Sequence, residues 1–290
     1  MPKLLVVATP IGNLSDASER VKQAFAGADL VAAEDTRVTM KLLDHFGIKK
    51  PLVSCHRHNE ESRAPEIISR MLEEDLTVAL CSDAGTPAVS DPGNRLVEAA
   101  WEAGVPVLPV CGPSAAMTAL SAAGFFAREF SFIGFPPRET KAVGEILERY
   151  RRAGSDVVIA YESPHRVIAF LEKVQACWPE CRVCVCCDLS KLYERIDRGC
   201  VADVLSALRA NPNVEKGEYC AVIECPKAQE DAAAAVSGEK TPEEMLLDFL
   251  LSGMEIRDAV QACADAGVAK NAAKKARLAI EKLAERLCEG

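Results

Sequence analysis

Short runs of Val, Leu and Ala alternate with longer amphipathic stretches through the first part of the chain. The apolar, β-rich runs are "KLLVVATP", "ADLVAAEDT", "PLVSCH", "LTVALCSDAGTP" and "VPVLPVCGP", and helical periodicity fills residues 17–26, 39–46, 64–73 and 94–103 between them. Strands that alternate with helices predict βαβ units and a mostly parallel sheet. The first, fourth and fifth runs break into "TPIGN", "SDAGTPAVSDPG" and "CGPSA". Ligands of open α/β sheets bind beyond the carboxyl ends of the strands, so these Gly-, Pro- and Ser-rich loops outline one pocket.

After a helix-like "PSAAMTALSAAG" the pattern shifts to "EFSFIGFPP", "DVVIAYESPH", "CRVCVCCDLS", "YERIDRG" and "GEYCAVIEC", strand candidates with fewer helices between them. This predicts a second α/β domain with a mixed sheet. Residues 227–240, rich in Ala, Glu and Asp, read as a linker. From Thr241 the chain turns helical, with Thr241 as N-cap, Pro242 at the first helical position and Gly253 as a stop. Two more helices are expected in "EIRDAVQACADAG" and "KNAAKKARLAIEKLAERL". The expected organisation is an α/β fold with an N-terminal domain over 1–115, a second α/β domain over 116–228 and a small helical domain over 241–290.

Composition supports an enzyme scaffold rather than a fibrous or disordered chain. Of the 290 residues, 49% are hydrophobic but 5% aromatic, so the core is built from Ala, Val and Leu, as in sheets buried on both faces. No stretch approaches the roughly 18 apolar residues of a membrane helix, and no leader-like segment opens the chain, which predicts a cytoplasmic protein without a membrane partner. The 13 cysteines are then expected as thiols. A net charge of −9 argues against a surface that coats nucleic acid all over, while leaving room for local basic patches. Neither a G-x-G-x-x-G nor a G-x-x-x-x-G-K-[ST] occurs, so the usual nucleotide fingerprints are absent.

The ordered set "TPIGNLSD", "AAEDTR", "SDAGTPAVSDPG", "GPSAAMTALSAAG", "YESPHR" and "KGE" resembles the tetrapyrrole methylase superfamily, in its ribosomal RNA small subunit methyltransferase I branch. The likeness covers about residues 3 to 225, and the C-terminal segment resembles the helical domain often appended to that branch. It implies two α/β domains with S-adenosylmethionine in the cleft between them, a homodimer, and 2′-O-methylation of a cytidine ribose in small-subunit (16S) rRNA or the assembled subunit. Carried over by motif, Pro10, Ile11, Asp83, Gly85, Thr86, Ser114, Ala115 and Tyr161 are the implied cofactor-binding residues.

Methyl transfer to a hydroxyl needs alignment and a proton sink. Glu34 and Asp35 in "AEDTR", Glu162 in "YESPHR" and Lys191 in "DLSKLYE" lead the candidates for a base or positioning group, with His165 and Glu194 in the last two motifs and His56, His58 and Glu60 in "SCHRHNEE" as further candidates. A carboxylate closing a strand, as Glu34 and Asp35 do, equally serves as a helix cap. Arg37, Arg57, His58 and Arg166 suit phosphate contacts, as do Lys270, Lys274, Lys275 and Arg277 on the last helix; the alternative is a solvated, ion-paired surface. Two other readings stay open: methylation of a tetrapyrrole or corrin precursor on the same fold, and a catalytically silent RNA-binding ribosome-assembly module.

Cys177, Cys181 and Cys184 have a C-x3-C-x2-C spacing similar to the iron–sulfur motif of radical enzymes. The Val/Cys run around Cys184 has β character, however, and alternation sends Cys184 and Cys186 to one face and Cys187 to the other. No metal is expected, and the stretch reads as a thiol-rich core strand. In the loop that follows, Cys187 and Asp188 stand where the resembling branch usually has Arg and Glu, while Ser190 and Lys191 fit.

Overall fold

The computed structural model describes residues 1–226 and 241–288, with side chains through 280; the expected linker over 227–240 lies outside the described residues. The chain forms two compact units, Met1–Lys227 and Ala228–Gly290.

In the first unit, β1 (Lys3–Val7), β2 (Leu30–Ala33), β3 (Leu52–Ser54), β4 (Thr77–Cys81) and β5 (Val107–Val110) form a sheet in the order β3-β2-β4-β1-β5. Every pairing in it is parallel. The connections are α1 (Glu19–Gly27), α2 (Thr36–His45), α3 (Glu60–Glu74) and α4 (Asn94–Glu102). Burial on both faces explains the unbroken apolar runs: along β2, Leu30 and Ala32 enter one core and Val31 and Ala33 the other. Polar side chains fix helix starts, Ser18 Oγ accepting from Val21 N-H at 3.3 Å for α1 and Asp35 Oδ1 from Arg37 N-H at 2.8 Å for α2.

Helix starts depart from the periodicity: α2 begins at Thr36, where Asp35 caps it, rather than at 39, and α3 differs most. The expected helix at 64–73 begins at Glu60 and runs through Pro65. Glu60 is buried, and its Oε2 accepts from Gly93 N-H at 2.9 Å, so a tertiary contact extends the helix past the breaker. Glu60 is thereby a strut beneath the 82–93 loop.

The chain crosses to a second sheet at α5 (Ala115–Ala123), whose Ala116, Ala119 and Ala123 pack on that sheet rather than the first. The strands are β6 (Phe130–Phe132), β7 (Val157–Glu162), β8 (Arg182–Cys187), β9 (Arg195–Cys200) and β10 (Tyr219–Glu224), in the order β6-β7-β10-β8-β9. Only β6 and β7 pair in parallel; β10 is antiparallel to β7 and β8, and β9 to β8. The helices here are α6 (Thr140–Arg152), α7 (Val167–Cys177) and α8 (Val201–Arg209).

Alternation along β8 puts Val183, Val185 and Cys187 in the core under α7 and α8, and Cys184 and Cys186 in the core under α5. Cys181 packs with the first group, so Cys184 lies on the opposite sheet face from it. Burial raises the Cys181 thiol to about 12, as it does that of Cys220. These sulfurs behave as small apolar groups.

The second unit comprises α9 (Pro242–Leu251), α10 (Ile256–Asp265) and α11 (Lys270–Cys288) around Leu246, Ala259, Cys263, Ala273 and Ala276. Thr241 and Glu244 form a reciprocal capping box, with Pro242 opening α9. No helix among the described residues is long and apolar enough to cross a membrane.

Candidate functional site

A cavity of about 360 Å³ opens between the two sheets of the first unit. Its first-sheet wall comes from the loops after β1, β4 and β5: Ile11, Ala84 to Thr86, Val89 to Asp91, and Ser114. The parallel sheet forces this convergence, because all its strands end at one edge. Reciprocal backbone bonds join two of the loops, Thr9 N-H to Gly85 O at 2.8 Å and Gly85 N-H to Thr9 O at 3.0 Å. Thr86 Oγ1 donates to Pro113 O at 3.1 Å and ties in the third.

The opposite wall uses the end of β7 (Tyr161 to Pro164), the end of β8 (Cys186, Leu189) and the start of β10 (Gly217 to Cys220). Antiparallel register brings them to one edge, with Tyr219 opposite both Glu162 and Cys187. Tyr161 Oη accepts from Ala116 N-H at 3.1 Å, and its ring meets Phe132 and Phe135 edge-on at 4.9 and 5.9 Å.

Backbone strain clusters on the two facing loops. Ala88 and Ser90 have φ of 64° and 68°, and Asp188 and Ser190 have 52° and 67°, values that side-chain-bearing residues rarely adopt. Two glycines permit the close approach. A Cβ on Gly12 would lie 2.9 Å from Leu189 O, and one on Gly217, at φ +86°, would lie 2.4 Å from Asp188 Oδ2. Ser190 Oγ also donates to Asp16 Oδ2 across the same junction.

The carboxylates divide by what they already hold. Asp35 caps α2 and pairs with Arg37 at 2.6 Å, and the hydrogen bonds from Arg37 hold its carboxyl down at about 2. Asp83 Oδ1 accepts from Asp35 N-H at 3.1 Å, and Glu34 Oε2 from Asp83 N-H at 3.3 Å. Burial raises the pKa of both Glu34 and Asp83, partly offset by those bonds. Glu162, 2% exposed, accepts from Ser163 N-H at 2.8 Å through Oε1. The Arg166 guanidinium stands 3.0 Å from its Oε2 but off the hydrogen-bond direction, so the charges are paired while that oxygen has no donor.

Lys191 Nζ lies 3.0 Å from both Asp188 Oδ1 and Glu218 Oε2. Burial pulls its pKa down, but the two carboxylates outweigh burial and the net shift is upward. Lys191 is therefore an ammonium that braces the 188–191 turn, and it does not offer a base. At this corner, where Cys187 and Asp188 depart from the branch pattern, Asp188 supplies an ion pair.

Of the residues expected to bind cofactor, Ile11, Gly85, Thr86, Ser114, Ala115 and Tyr161 line the cavity; Pro10 and Asp83 lie just outside its wall. Arg37 and His58 are exposed, and Arg57 donates to Ser90 O at 3.0 Å, which sets it at the cavity rim. Arg166 is half spent internally, donating to Pro136 O at 2.9 Å. Lys270, Lys274 and Lys275 are exposed on α11, with Arg277 half-buried there. His56 Nδ1 accepts from His58 N-H at 3.2 Å, and His165 and Glu194 are not on the cavity wall. Sequence reasoning passed over Ser90, Asp91, Phe135, Ser163, Gly217, Glu218 and Cys220. The second Ser-Asp pair of "SDAGTPAVSDPG" and the "KGE" triplet were the available signals.

Two lobes of α/β structure with a cleft fed by strand-end loops define a methylase of the two-lobed class. The chain belongs to the tetrapyrrole (corrin/porphyrin) methylases, whose family model matches residues 3–205. It is 39% identical over 277 residues, 94% of its length and 93% of the relative's, to the ribosomal RNA small subunit methyltransferase I of Escherichia coli O157:H7. To the protein of the same name from Halalkalibacterium halodurans it is 38% identical, with 92% and 91% covered. In fold it is similar to the methyltransferase CobJ (TM-score 0.58, 18% identity, 78% of this chain and 95% of that one). It is also similar to a uroporphyrin-III-C-methyltransferase from Thermus thermophilus (TM-score 0.52, 19% identity, 77% and 94%). The chain is a methyltransferase, and its methyl donor is S-adenosylmethionine.

The cavity suits that donor. Its volume falls in the range of small-molecule sites. Ile11, Ala84, Ala115, Phe135 and Leu189 offer an apolar bed, with Ser114 and Ser163 as polar groups on the wall.

Proposed function

We propose that this chain transfers a methyl group to the 2′-hydroxyl of a cytidine ribose in small-subunit ribosomal RNA, as a cytoplasmic homodimer. The observation that carries this reading is the 39% identity across nearly the whole length of a relative named for that RNA. The tetrapyrrole-precursor alternative rests on neighbours at 14 to 19% identity, which speak for the fold alone.

Ile11, Gly85, Thr86, Ser114, Ala115 and Tyr161 would hold the donor, which when bound supplies a methyl group on a positively charged sulfur. Leu189 and Phe135 give the wall apolar surface beside the reactants. The strained 88–90 and 188–190 turns hold these walls in fixed positions, so alignment is built before the reactants arrive. Arg37, Arg57 and His58 lie at the exposed ends of the β2 and β3 loops, where phosphate can reach them; Lys270, Lys274, Lys275 and Arg277 would add a second basic patch. Arg166 is bound to Glu162 and Pro136 and serves mainly to position that carboxylate.

Mass spectrometry of small-subunit rRNA from cells with and without the gene tests the reading. Loss of one ribose-methylated cytidine is expected; an unchanged map overturns it. Sedimentation of the purified chain checks the dimer, for which a single species at twice 31.2 kDa is expected.

A further inference from the structure

Three carboxylates line the cavity: Asp91, Glu162 and Glu218. Glu162 is committed to Ser163 N-H and the Arg166 charge, and Glu218 to Lys191. Asp91 alone of the three has no hydrogen-bond or ion-pair partner among the described residues. Other acidic groups near the cleft are off the cavity wall and engaged: Glu34, Asp35 and Asp83 hold one another's backbone N-H groups or Arg37, and Asp188 pairs with Lys191.

A group that takes a proton during catalysis needs a free lone pair, access to the reactants and a fixed position. Asp91 meets all three. It follows Ser90, whose left-handed backbone is held through its carbonyl by Arg57, and Pro92 O accepts from Ala88 N-H at 3.2 Å to close the turn. Gly93, held at φ +122° with its N-H on the buried Glu60, fixes the other end.

We propose that Asp91 takes the proton from the acceptor hydroxyl during methyl transfer, an assignment that rests on the methyltransferase reading above. In this step the hydroxyl oxygen forms the new O–CH3 bond as the carbon–sulfur bond of the donor breaks. The electron pair of the broken bond stays on sulfur, which becomes a neutral thioether, and the O–H proton passes to the Asp91 carboxylate and then to solvent.

The electrostatics suit the role. Burial first, then the negative charges of Glu34, Asp83 and Glu218, raise the Asp91 carboxyl to about 6, with Arg57 opposing. These neighbours come from the ends of β2 and β4, the start of β10 and the β3–α3 loop. A carboxylate at that level is ionised at neutral pH yet more basic than an ordinary one, which brings it nearer the operating range of a proton acceptor.

The test compares the full-length wild-type chain with Asp91→Asn and Asp91→Glu. Methyl transfer to small ribosomal subunits is followed in single turnovers from pH 5 to 9, S-adenosylhomocysteine affinity by calorimetry, and aspartate carboxyls by carbon NMR without RNA. The wild-type rate should rise about tenfold per pH unit up to about 6 and then level. Asp91→Asn should lose roughly a hundredfold or more in rate and the pH limb with it, keep affinity within about threefold, and lack one carboxyl titrating near 6. Asp91→Glu should recover part of the rate and retain a pH limb. An Asp91→Asn rate within about threefold of wild type, a wild-type rate that falls with pH, or loss of affinity by about tenfold overturns the assignment. If the wild-type chain methylates no small subunit at all, the reading of function fails instead, and the NMR titration still reports on Asp91 by itself.

Discussion

The two sheets of the first unit meet the same cavity by different means. In the parallel sheet every strand ends at one edge, so the residues after β1, β4 and β5 arrive there as consecutive loops. In the mixed sheet the same edge collects the ends of β7 and β8 but the start of β10, because β10 runs the other way. A site on a parallel sheet is thus written as strand-end motifs, whereas a site on a mixed sheet is split between strand ends and strand beginnings, which here only the short "KGE" triplet marks.

If the two sheets fold as one unit, damage to either should be felt by both. Phe25 and Phe170 are buried in the first and second sheets' cores, and truncating either to Ala should cost about 3–5 kcal/mol. Thermal unfolding followed by circular dichroism should show the same transition moving down in both variants. Two transitions, each sensitive to one variant, would divide the unit in two.

The facing turns give the next largest effect. Gly217→Val forces a side chain into Asp188 from a left-handed backbone and should lower stability by roughly 1–3 kcal/mol, as read from denaturant midpoints, and weaken S-adenosylhomocysteine binding. Gly104→Val, at φ +68° with open space around it, carries the backbone strain without the collision, and should leave the binding unchanged.

Asp91 gives a smaller effect of opposite sign. Its folded pKa of about 6 lies above the ordinary carboxyl value, so the native state binds the proton more tightly and stability falls as pH rises from about 4 to about 6. With the group only half buried, Asp91→Asn should gain about 1 kcal/mol above pH 6 and nothing near pH 4. Equal midpoints at pH 7.5 for the variant and the parent would remove this destabilisation. Asp35 runs the other way: its depressed carboxyl stabilises above the ordinary pKa, and that contribution is lost as pH falls toward about 2.

The last effect, no larger than that of Asp91, tests the link across the cleft. Tyr161→Phe removes the acceptor of Ala116 N-H and should cost about 1 kcal/mol, seen in the unfolding midpoint, with amide exchange at Ala116 accelerated. Unchanged exchange there would show that the bond is not holding α5 to β7.

This contrast also explains what could be read in advance. Eight of the ten strands follow from apolar runs rich in Val, Leu, Ala and Cys, while β6 rests on two Phe and β9 is polar, and the Cys184, Cys186 against Cys187 alternation follows from the pleat alone. Six of the eight expected cofactor residues line the cavity because motif and strand end coincide. Glu218 had only the short "KGE" triplet to mark it and Cys220 nothing, since they precede or begin a strand. Asp91 was passed over because its Ser-Asp pair repeats Ser82-Asp83, and only the fold shows that Asp83 is spent on Asp35 while Asp91 faces the cavity. The start of α3 was misplaced because Pro65 signals a helix end locally, whereas the Glu60 to Gly93 bond is set by the tertiary fold.

Burial of the thiols has a practical consequence. Cys181, Cys184, Cys186, Cys187, Cys220 and Cys225 are sealed within the second sheet, while Cys111, one residue after β5, is exposed, alone among the cysteines up to residue 280. It stands beside Gly112, whose missing Cβ lets the strand end lie against Ala8, and three residues before Ser114 on the cavity wall. Among the cysteines up to residue 280, a maleimide dye added to the native chain should therefore react first at Cys111, so that a Cys288→Ser chain carries a natural optical reporter beside the cleft.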